Sequence, residues 1–222
     1  MDIRSRAFTL AEVLITLGIV GVVAALTIPG LITTQKAIKL RSQFLKSYSL
    51  IQQSFKLMEE DDVSLDPNTY ETGTFYKTYM KYFTGTTDCT SKRKTPCYYR
   101  YDPPYKSLDG KSTIEYNPFD DGQFTLKDGT LVLLENYTNY KHIWVSVDIN
   151  GYGTPPNRWG YDLFTFQFKD GELVTMGDQS TEYKDTKKYC DINGSGTRNG
   201  IACAQLAKTD PEYFKKLVRA LH

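Results

Sequence analysis

One stretch near the start of the chain, Phe8–Pro29, limits what the whole protein can fold into. It reads FTLAEVLITLGIVGVVAALTIP, and no charged residue lies between Val13 and Ile28. With about 1.5 Å of rise per residue, this stretch as a helix is about 30 Å long, which matches the hydrocarbon core of a bilayer. The sequence therefore predicts a transmembrane helix over residues 8–29.

The flank of this stretch predicts its orientation. The leader MDIRSRA carries Arg4 and Arg6. Basic residues beside a span favour the cytoplasmic side. We therefore expect a single-pass protein of the inner membrane, with its carboxyl-terminal domain outside the cytoplasm.

Glu12 is the unusual residue of the span. A carboxylate within a membrane helix usually has a function and a partner. The span itself offers no cation. The nearest candidate is the amino group that a cut after Ala7 would create at Phe8.

The run RAFTLAEVLI, Arg6–Ile15, resembles the prepilin signal of type IV pilins and type II secretion pseudopilins. In that family a membrane enzyme, prepilin peptidase, cuts before the Phe and methylates the new amino group. The resemblance implies that residues 1–7 are a leader, that cleavage separates Ala7 from Phe8, and that the mature protein starts at methylated Phe8. The family usually has Gly before the cut, and here Ala7 keeps the small size.

The resemblance, which covers about the first thirty residues, also implies a function and partners. Glu12 would neutralise the terminal amine of a neighbouring subunit, and Pro29 falls where pilins commonly carry a Pro. The chain would then be a structural subunit of a type IV pilus or a type II secretion pseudopilus, with other pilin or pseudopilin subunits as partners. An ordinary secretory signal peptide, cut after Val23-Ala24-Ala25, is the alternative interpretation of the same stretch.

Composition and motifs exclude several other classes of function. Lys and Arg total 27 against 26 Asp and Glu, so net charge gives no general indication of nucleic-acid binding. The sequence has no G-x-S-x-G, no H-E-x-x-H and no phosphate-binding loop, so we predict that the chain is not an enzyme. The compact basic cluster Lys92-Arg93-Lys94 leaves one alternative open, a minor pilin at a filament tip that binds a surface, a glycan or DNA.

The four cysteines, Cys89, Cys97, Cys190 and Cys203, suggest disulfides in a domain outside the cytoplasm. Four cysteines allow three pairings. We favour Cys89–Cys97 and Cys190–Cys203, because each pair brackets a short polar loop. Zinc is the weaker interpretation, since the spacings lack C-x-x-C.

The rest of the chain predicts an α+β, pilin-like fold, in which a long helix packs on an antiparallel sheet. Apolar residues from Ile38 to Met58 step by three or four, so an amphipathic helix should continue over residues 30–59 and a globular β domain should fill residues 60–222. Alternating apolar residues and Asp-Gly turns indicate two hairpins and a strand between them. The predicted elements are a short helix at Phe75–Phe83, hairpins at Phe124–Leu134 and Phe166–Val174, a strand at His142–Ile149 and a terminal helix at Pro211–Leu221.

Two similar loops, DINGYG from Asp148 and DINGSG from Asp191, are rich in oxygen ligands. Such loops can hold calcium, and the sequence offers Asp148, Asn150 and Asp162 as the ligands of a structural calcium ion. Neither loop is an EF-hand, because neither has Glu at its twelfth position. Plain turns, in which Asp and Asn bond their own backbone, are the alternative for both.

Overall fold

The computed structural model describes residues 9–90, 96–98, 104–136, 142–169 and 171–221. Its dominant element is a 51-residue helix, α1, which covers Leu10–Glu60. The predicted continuous helix is confirmed, and at about 1.5 Å per residue α1 is about 75 Å long. Pro29 lies inside it. The helix ends at Glu60, within the acidic run Glu59-Glu60-Asp61-Asp62, and Asp62 adopts a left-handed conformation (φ 55°) just beyond it.

The second half of α1 packs against the rest of the protein through one stripe. The buried residues of this stripe step by three or four and are Ala37, Leu40, Phe44, Ser47, Ile51, Ser54, Phe55 and Met58. Ile38, which the sequence pattern placed in the stripe, is 57% exposed. Successive residues of a helix point about 100° apart, so burial of Ala37 leaves Ile38 on the outer side.

A meander of six strands lies under this stripe in the described part of the chain. The strands follow one another in sequence order, and every neighbouring pair is antiparallel. Both predicted hairpins are present, one between β2 and β3 and one between β5 and β6. The strands are β1 (Thr87–Asp88), β2 (Gln123–Thr125), β3 (Leu131–Glu135), β4 (Ile143–Asp148), β5 (Leu163–Lys169) and β6 (Glu172–Thr175).

Short helices complete the layout. They are α2 (Phe75–Tyr79), α3 (Thr186–Tyr189), α4 (Cys203–Thr209) and α5 (Tyr213–Ala220), and Met80–Tyr82 extends α2 as a 3-10 turn. The predicted helices at Phe75–Phe83 and Pro211–Leu221 are confirmed. One long apolar helix packed on an antiparallel sheet is an α+β layout.

Aromatic rings join α1 to the sheet and to α5. The ring of Phe44 lies 4.8 Å from that of Phe164, 6.1 Å from that of Phe166 and 5.9 Å from that of Phe214. Phe44 is fully buried. Because one side chain of α1 contacts both β5 and α5, the second half of α1 is held from two directions.

The structure pairs the cysteines as we favoured. Cys89 is bonded to Cys97 and Cys190 to Cys203, with Cα atoms 5.3 and 5.0 Å apart. All four sulfurs are therefore used in disulfides and none is free to bind zinc.

Removing the Cys190–Cys203 bond is expected to destabilise the domain. In the chain-entropy model, a crosslink across this 13-residue separation contributes about 3 kcal/mol. We expect Cys190→Ala/Cys203→Ala to lower the free energy of unfolding by about that amount in a denaturant titration. Reduction of the wild-type protein, which breaks both disulfides, is the control. In the variant a reducing agent can break only Cys89–Cys97, so any further loss in the free energy of unfolding should come from that bond alone. Unfolding midpoints that are the same with and without reductant in the wild type would contradict the prediction.

Candidate functional site

The first half of α1 projects from the domain and carries the largest exposed apolar surface of the described residues. Its large aliphatic side chains between Leu10 and Ile32 are exposed by 43–81%. By length and composition, α1 is able to cross a membrane. A surface this apolar marks a contact with lipid or with protein.

The polar groups of this segment are satisfied within the helix. The hydroxyls of Thr16 and Thr27 donate to the carbonyls of Glu12 and Val23, each at 2.9 Å. Helices that enter lipid require such internal hydrogen bonds, because no water is available there. From Val13 onward, the projecting segment is therefore chemically suited to an apolar environment.

Glu12 lies in the first turn of α1, in a capping box that our sequence analysis missed. Its Oε2 accepts from the Thr9 N–H and from the Thr9 hydroxyl, both at 2.8 Å, and its own N–H donates to Thr9 Oγ1 at 3.2 Å. The spacing Thr-x-x-Glu is the local signal that would have predicted this motif. The cleavage-site residues Ala7 and Phe8 lie outside the described residues, so their predicted roles remain predictions.

A second candidate site lies in the domain, where β4 ends and the loop before β5 returns. It contains Asp148 and Asp162, both fully buried. Asp148 Oδ2 accepts from the Tyr105 hydroxyl at 2.6 Å, and Asp148 Oδ1 accepts from the Asn150 N–H at 3.3 Å. Asp162 accepts from the backbone N–H groups of Asn157 and Arg158, at 3.0 and 2.6 Å. These donors, a hydroxyl and three backbone N–H groups, are all neutral.

The two carboxyl groups affect each other's protonation. Burial raises the pKa of Asp148 to about 7. Burial, followed by the nearby charge of Asp148, raises the pKa of Asp162 well above its usual value. Two buried carboxylates with neutral donors are costly when both are ionised. Either a proton or a cation would relieve that cost.

The oxygen atoms near the pair are of the kinds that calcium binds in proteins. Besides the two carboxylates, the amide oxygens Asn150 Oδ1 and Asn157 Oδ1 are buried and have no hydrogen-bond donor among the described residues. Calcium takes six to eight oxygen ligands, and carboxylate and amide oxygens are typical of them. The structure thus brings Asp148, Asn150 and Asp162 into one loop cluster, and it adds Asn157, which the sequence analysis did not select.

The similar loop at Asp191 has the simpler structure. The Asn193 N–H donates to Asp191 Oδ1 at 2.9 Å, and Asn193 is exposed. This is the plain turn that the sequence left as an alternative. The two loops share a motif and differ in burial.

A further acidic group, which the sequence analysis did not select, contains Asp120, Asp121 and Glu135. Carboxylate oxygens of the three lie within 4.8 Å of one another. Burial raises the pKa of Asp121, whose Oδ2 accepts from the Asn136 N–H at 2.8 Å. The group forms because the Asp121 N–H donates to the Leu134 carbonyl, a contact between residues that are distant in sequence.

Comparison with family models, with curated proteins and with solved structures finds no match for this chain. Its function is therefore inferred from the amino-terminal motif, the projecting helix and the buried carboxylate pair.

Proposed function

We propose that this chain is a pilin-like structural subunit, processed by prepilin peptidase and assembled with other pilin or pseudopilin subunits into a type IV pilus or a type II secretion pseudopilus. One observation supports the proposal most strongly. The first half of α1 is a bare apolar helix fixed to a folded domain through its second half. A subunit that moves from a membrane into a filament needs both parts, an exposed apolar helix and a folded domain attached to it.

The same surface serves both environments. In the membrane, lipid covers the aliphatic side chains between Leu10 and Ile32. In a filament, the corresponding helices of other subunits cover them, and van der Waals packing replaces lipid contacts. The transfer therefore leaves little apolar surface in contact with water.

The disulfides support a location of the domain outside the cytoplasm. Flanking charge alone is a weaker guide to orientation. Arg4 and Arg6 precede the span, but Lys36, Lys39 and Arg41 follow it. Both flanks are basic, so the leader's two arginines do not determine the orientation by themselves.

We also propose that Asp148, Asn150 and Asp162, together with Asn157, hold a structural calcium ion. A cation there would neutralise the buried carboxylates and give the two unpaired amide oxygens a partner. The alternative function, a tip-located binding subunit, depends on Lys92-Arg93-Lys94. These residues lie outside the described part of the chain.

The mature amino terminus tests the proposed function. The chain should be expressed in cells with and without a prepilin peptidase, and the intact protein analysed by mass spectrometry. We expect loss of residues 1–7 and a methylated Phe8 only when the peptidase is present. A start at Leu26 in both strains would identify an ordinary signal peptide and contradict the proposal.

A further inference from the structure

The charges of α1 are separated by sign along its length. Between Glu12 and Glu59 no acidic residue occurs in it, and its charged residues there are Lys36, Lys39, Arg41, Lys46 and Lys56. The acidic run Glu59-Glu60-Asp61-Asp62 then follows at its carboxyl end. At about 1.5 Å per residue, Lys39 and Glu59 are about 30 Å apart along the helix. Positive and negative charge of α1 therefore gather at opposite ends of the domain.

α5 adds basic charge where the projecting half of α1 leaves the domain, which we call the near end. The ring of Phe214 lies 5.9 Å from that of Phe44, whereas Leu221 lines a cleft with Lys36. Lys36 precedes Phe44 on α1, on the side of the projecting half. α5 therefore runs toward the near end, and its last turn, which contains Arg219, lies there.

Lys39 and Arg219 are the two charges of the near end that await a partner. Both are exposed, and neither forms an ion pair with the part of the chain that the structure describes. The acidic residues of this region, Asp210 and Glu212, already pair with lysines of α5, at 2.8 and 2.9 Å. The near end therefore presents uncompensated positive charge.

The acidic run marks the opposite end of the domain, the far end. Its four residues are exposed, and none of them forms an ion pair within the described ranges. Asp61 accepts from the hydroxyl of Tyr82 at 3.0 Å, and this donor is neutral. Lys56, the basic residue of α1 that precedes the run, forms no ion pair there either. The far end therefore presents uncompensated negative charge.

The fold of a single subunit does not account for this acidic run. The carboxyl end of a helix carries a partial negative charge, so acidic side chains are unfavourable there and basic ones are favourable. The last turn of α1 has no basic residue. A positively charged surface placed against this end would therefore stabilise it.

We propose that the acidic far end of one subunit contacts the basic near end of a second copy of this chain. The proposal rests on the proposed function, because it requires that the projecting helices lie parallel in a filament. In such a filament all domains have the same orientation, and a head-to-tail contact brings opposite ends together. Lys39 and Arg219 of one subunit then lie against the acidic run of the next, and each end supplies the charge that the other lacks.

Charge reversal in the full chain tests this contact. The far-end variant is Glu59→Lys/Glu60→Lys/Asp61→Lys, and the near-end variant is Lys39→Glu/Arg219→Glu. One exposed ion pair contributes little, so neutralising a single residue of the run should hardly change assembly. Reversing several charges replaces attraction with repulsion and should weaken each contact roughly tenfold. We expect at least that loss of sheared filament protein, measured by immunoblotting, for each variant expressed alone.

Co-expression of the two variants is the decisive measurement. The reversed far end of one variant attracts the reversed near end of the other, and the two unchanged ends also attract each other. Mixed filaments should therefore return to nearly wild-type amounts. Lys184→Glu/Lys187→Glu, which reverses two exposed charges in and beside α3, is the control and should assemble as the wild type.

Thermal unfolding separates loss of the contact from loss of the fold. The far-end variant should unfold at no lower temperature than the wild type, because lysine is favourable at the carboxyl end of a helix. It therefore decides the result even if the near-end variant is unstable. Normal assembly of the folded far-end variant would overturn the proposal, and so would two folded variants that fail together as they fail alone.

The wild-type chain separates this result from the proposed function. Wild-type filaments beside a far-end variant that assembles equally well contradict the charged contact alone. A wild-type chain that forms no filaments in a strain that carries prepilin peptidase and a pilus assembly system contradicts the proposed function, and the contact with it.

Discussion

Replacement of Glu12 by alanine is expected to abolish entry of the subunit into filaments, while insertion, cleavage and folding of the domain continue. Thr9 supplies hydrogen bonds to the Glu12 carboxylate. On the proposed function, Glu12 would lie near the cytoplasmic end of the span in the membrane, where water reaches it, and in a filament the same carboxylate would enter an apolar helix bundle. An unpaired charge there is costly, and the amine at Phe8 of the next subunit would remove that cost.

The pair would also set the position of one subunit relative to the next. Apolar helices can slide along each other with little change in packing energy, but a charge pair is satisfied in one register only. Loss of Glu12 removes this restraint as well as the attraction. The expected effect is therefore a failure of assembly, with subunits accumulating in the membrane.

Glu60→Ala is the matched control, since it removes the same charge from the exposed far end of the same helix. Filaments can be sheared from cells and measured by immunoblotting beside the membrane fraction. We expect wild-type amounts of sheared protein for the control and none for Glu12→Ala. Normal polymerisation of Glu12→Ala, at normal protein levels, would show that Glu12 does not have the assigned role.

Much of the fold was predictable because its signals are local. The length of α1 follows from an unbroken run of helix-compatible residues, and each hairpin follows from Asp-Gly between alternating apolar residues. The short separations of the cysteines likewise favoured the pairing that the structure has. Even the capping box that we missed, Thr9 with Glu12, depends on a three-residue spacing that is visible in the sequence.

The buried carboxylate pair in the domain was less predictable, because contacts between residues far apart in the sequence determine which side chains are buried. Asp148 and Asp191 begin the same Asp-Ile-Asn-Gly motif. Asp148 is fully buried, whereas Asp191 is half-buried and begins a turn at the surface. The difference comes from Tyr105, 43 residues away, and from Asp162, which the return of the chain into β5 brings beside Asp148. Contacts between residues so far apart in the chain cannot be predicted from local patterns in a single sequence.

The buried pair leads to the second large effect, a dependence of stability on pH and on calcium. The pKa of Asp148 is raised to about 7 in the folded protein, so the folded state holds a proton that the unfolded state releases at lower pH. As pH rises from about 4 to about 7, stability is therefore lost, on the order of 4 kcal/mol for Asp148. The raised pKa of Asp162 acts in the same direction.

Calcium should reverse this loss, because a cation takes the place of the proton. We expect the full chain in detergent with a chelator to unfold at a lower temperature at about pH 8 than at about pH 5. Added calcium should raise the unfolding temperature strongly at the higher pH and weakly at the lower one. Fluorescence of the buried Trp159, in the same loop, is a suitable measure.

Asp162→Asn and Asp191→Asn separate this effect from general electrostatics. Both variants remove one carboxylate from a chain of nearly balanced charge, but only Asp162 belongs to the buried pair. Asp162→Asn should remove the Asp162 contribution to the pH dependence, leave the contribution that burial gives Asp148, and abolish the response to calcium because a ligand is lost. Asp191→Asn should behave as the wild type. A calcium response that is equal in the two variants would place the ion elsewhere. A wild-type unfolding temperature independent of pH would show that burial does not raise the pKa values of the two carboxyl groups.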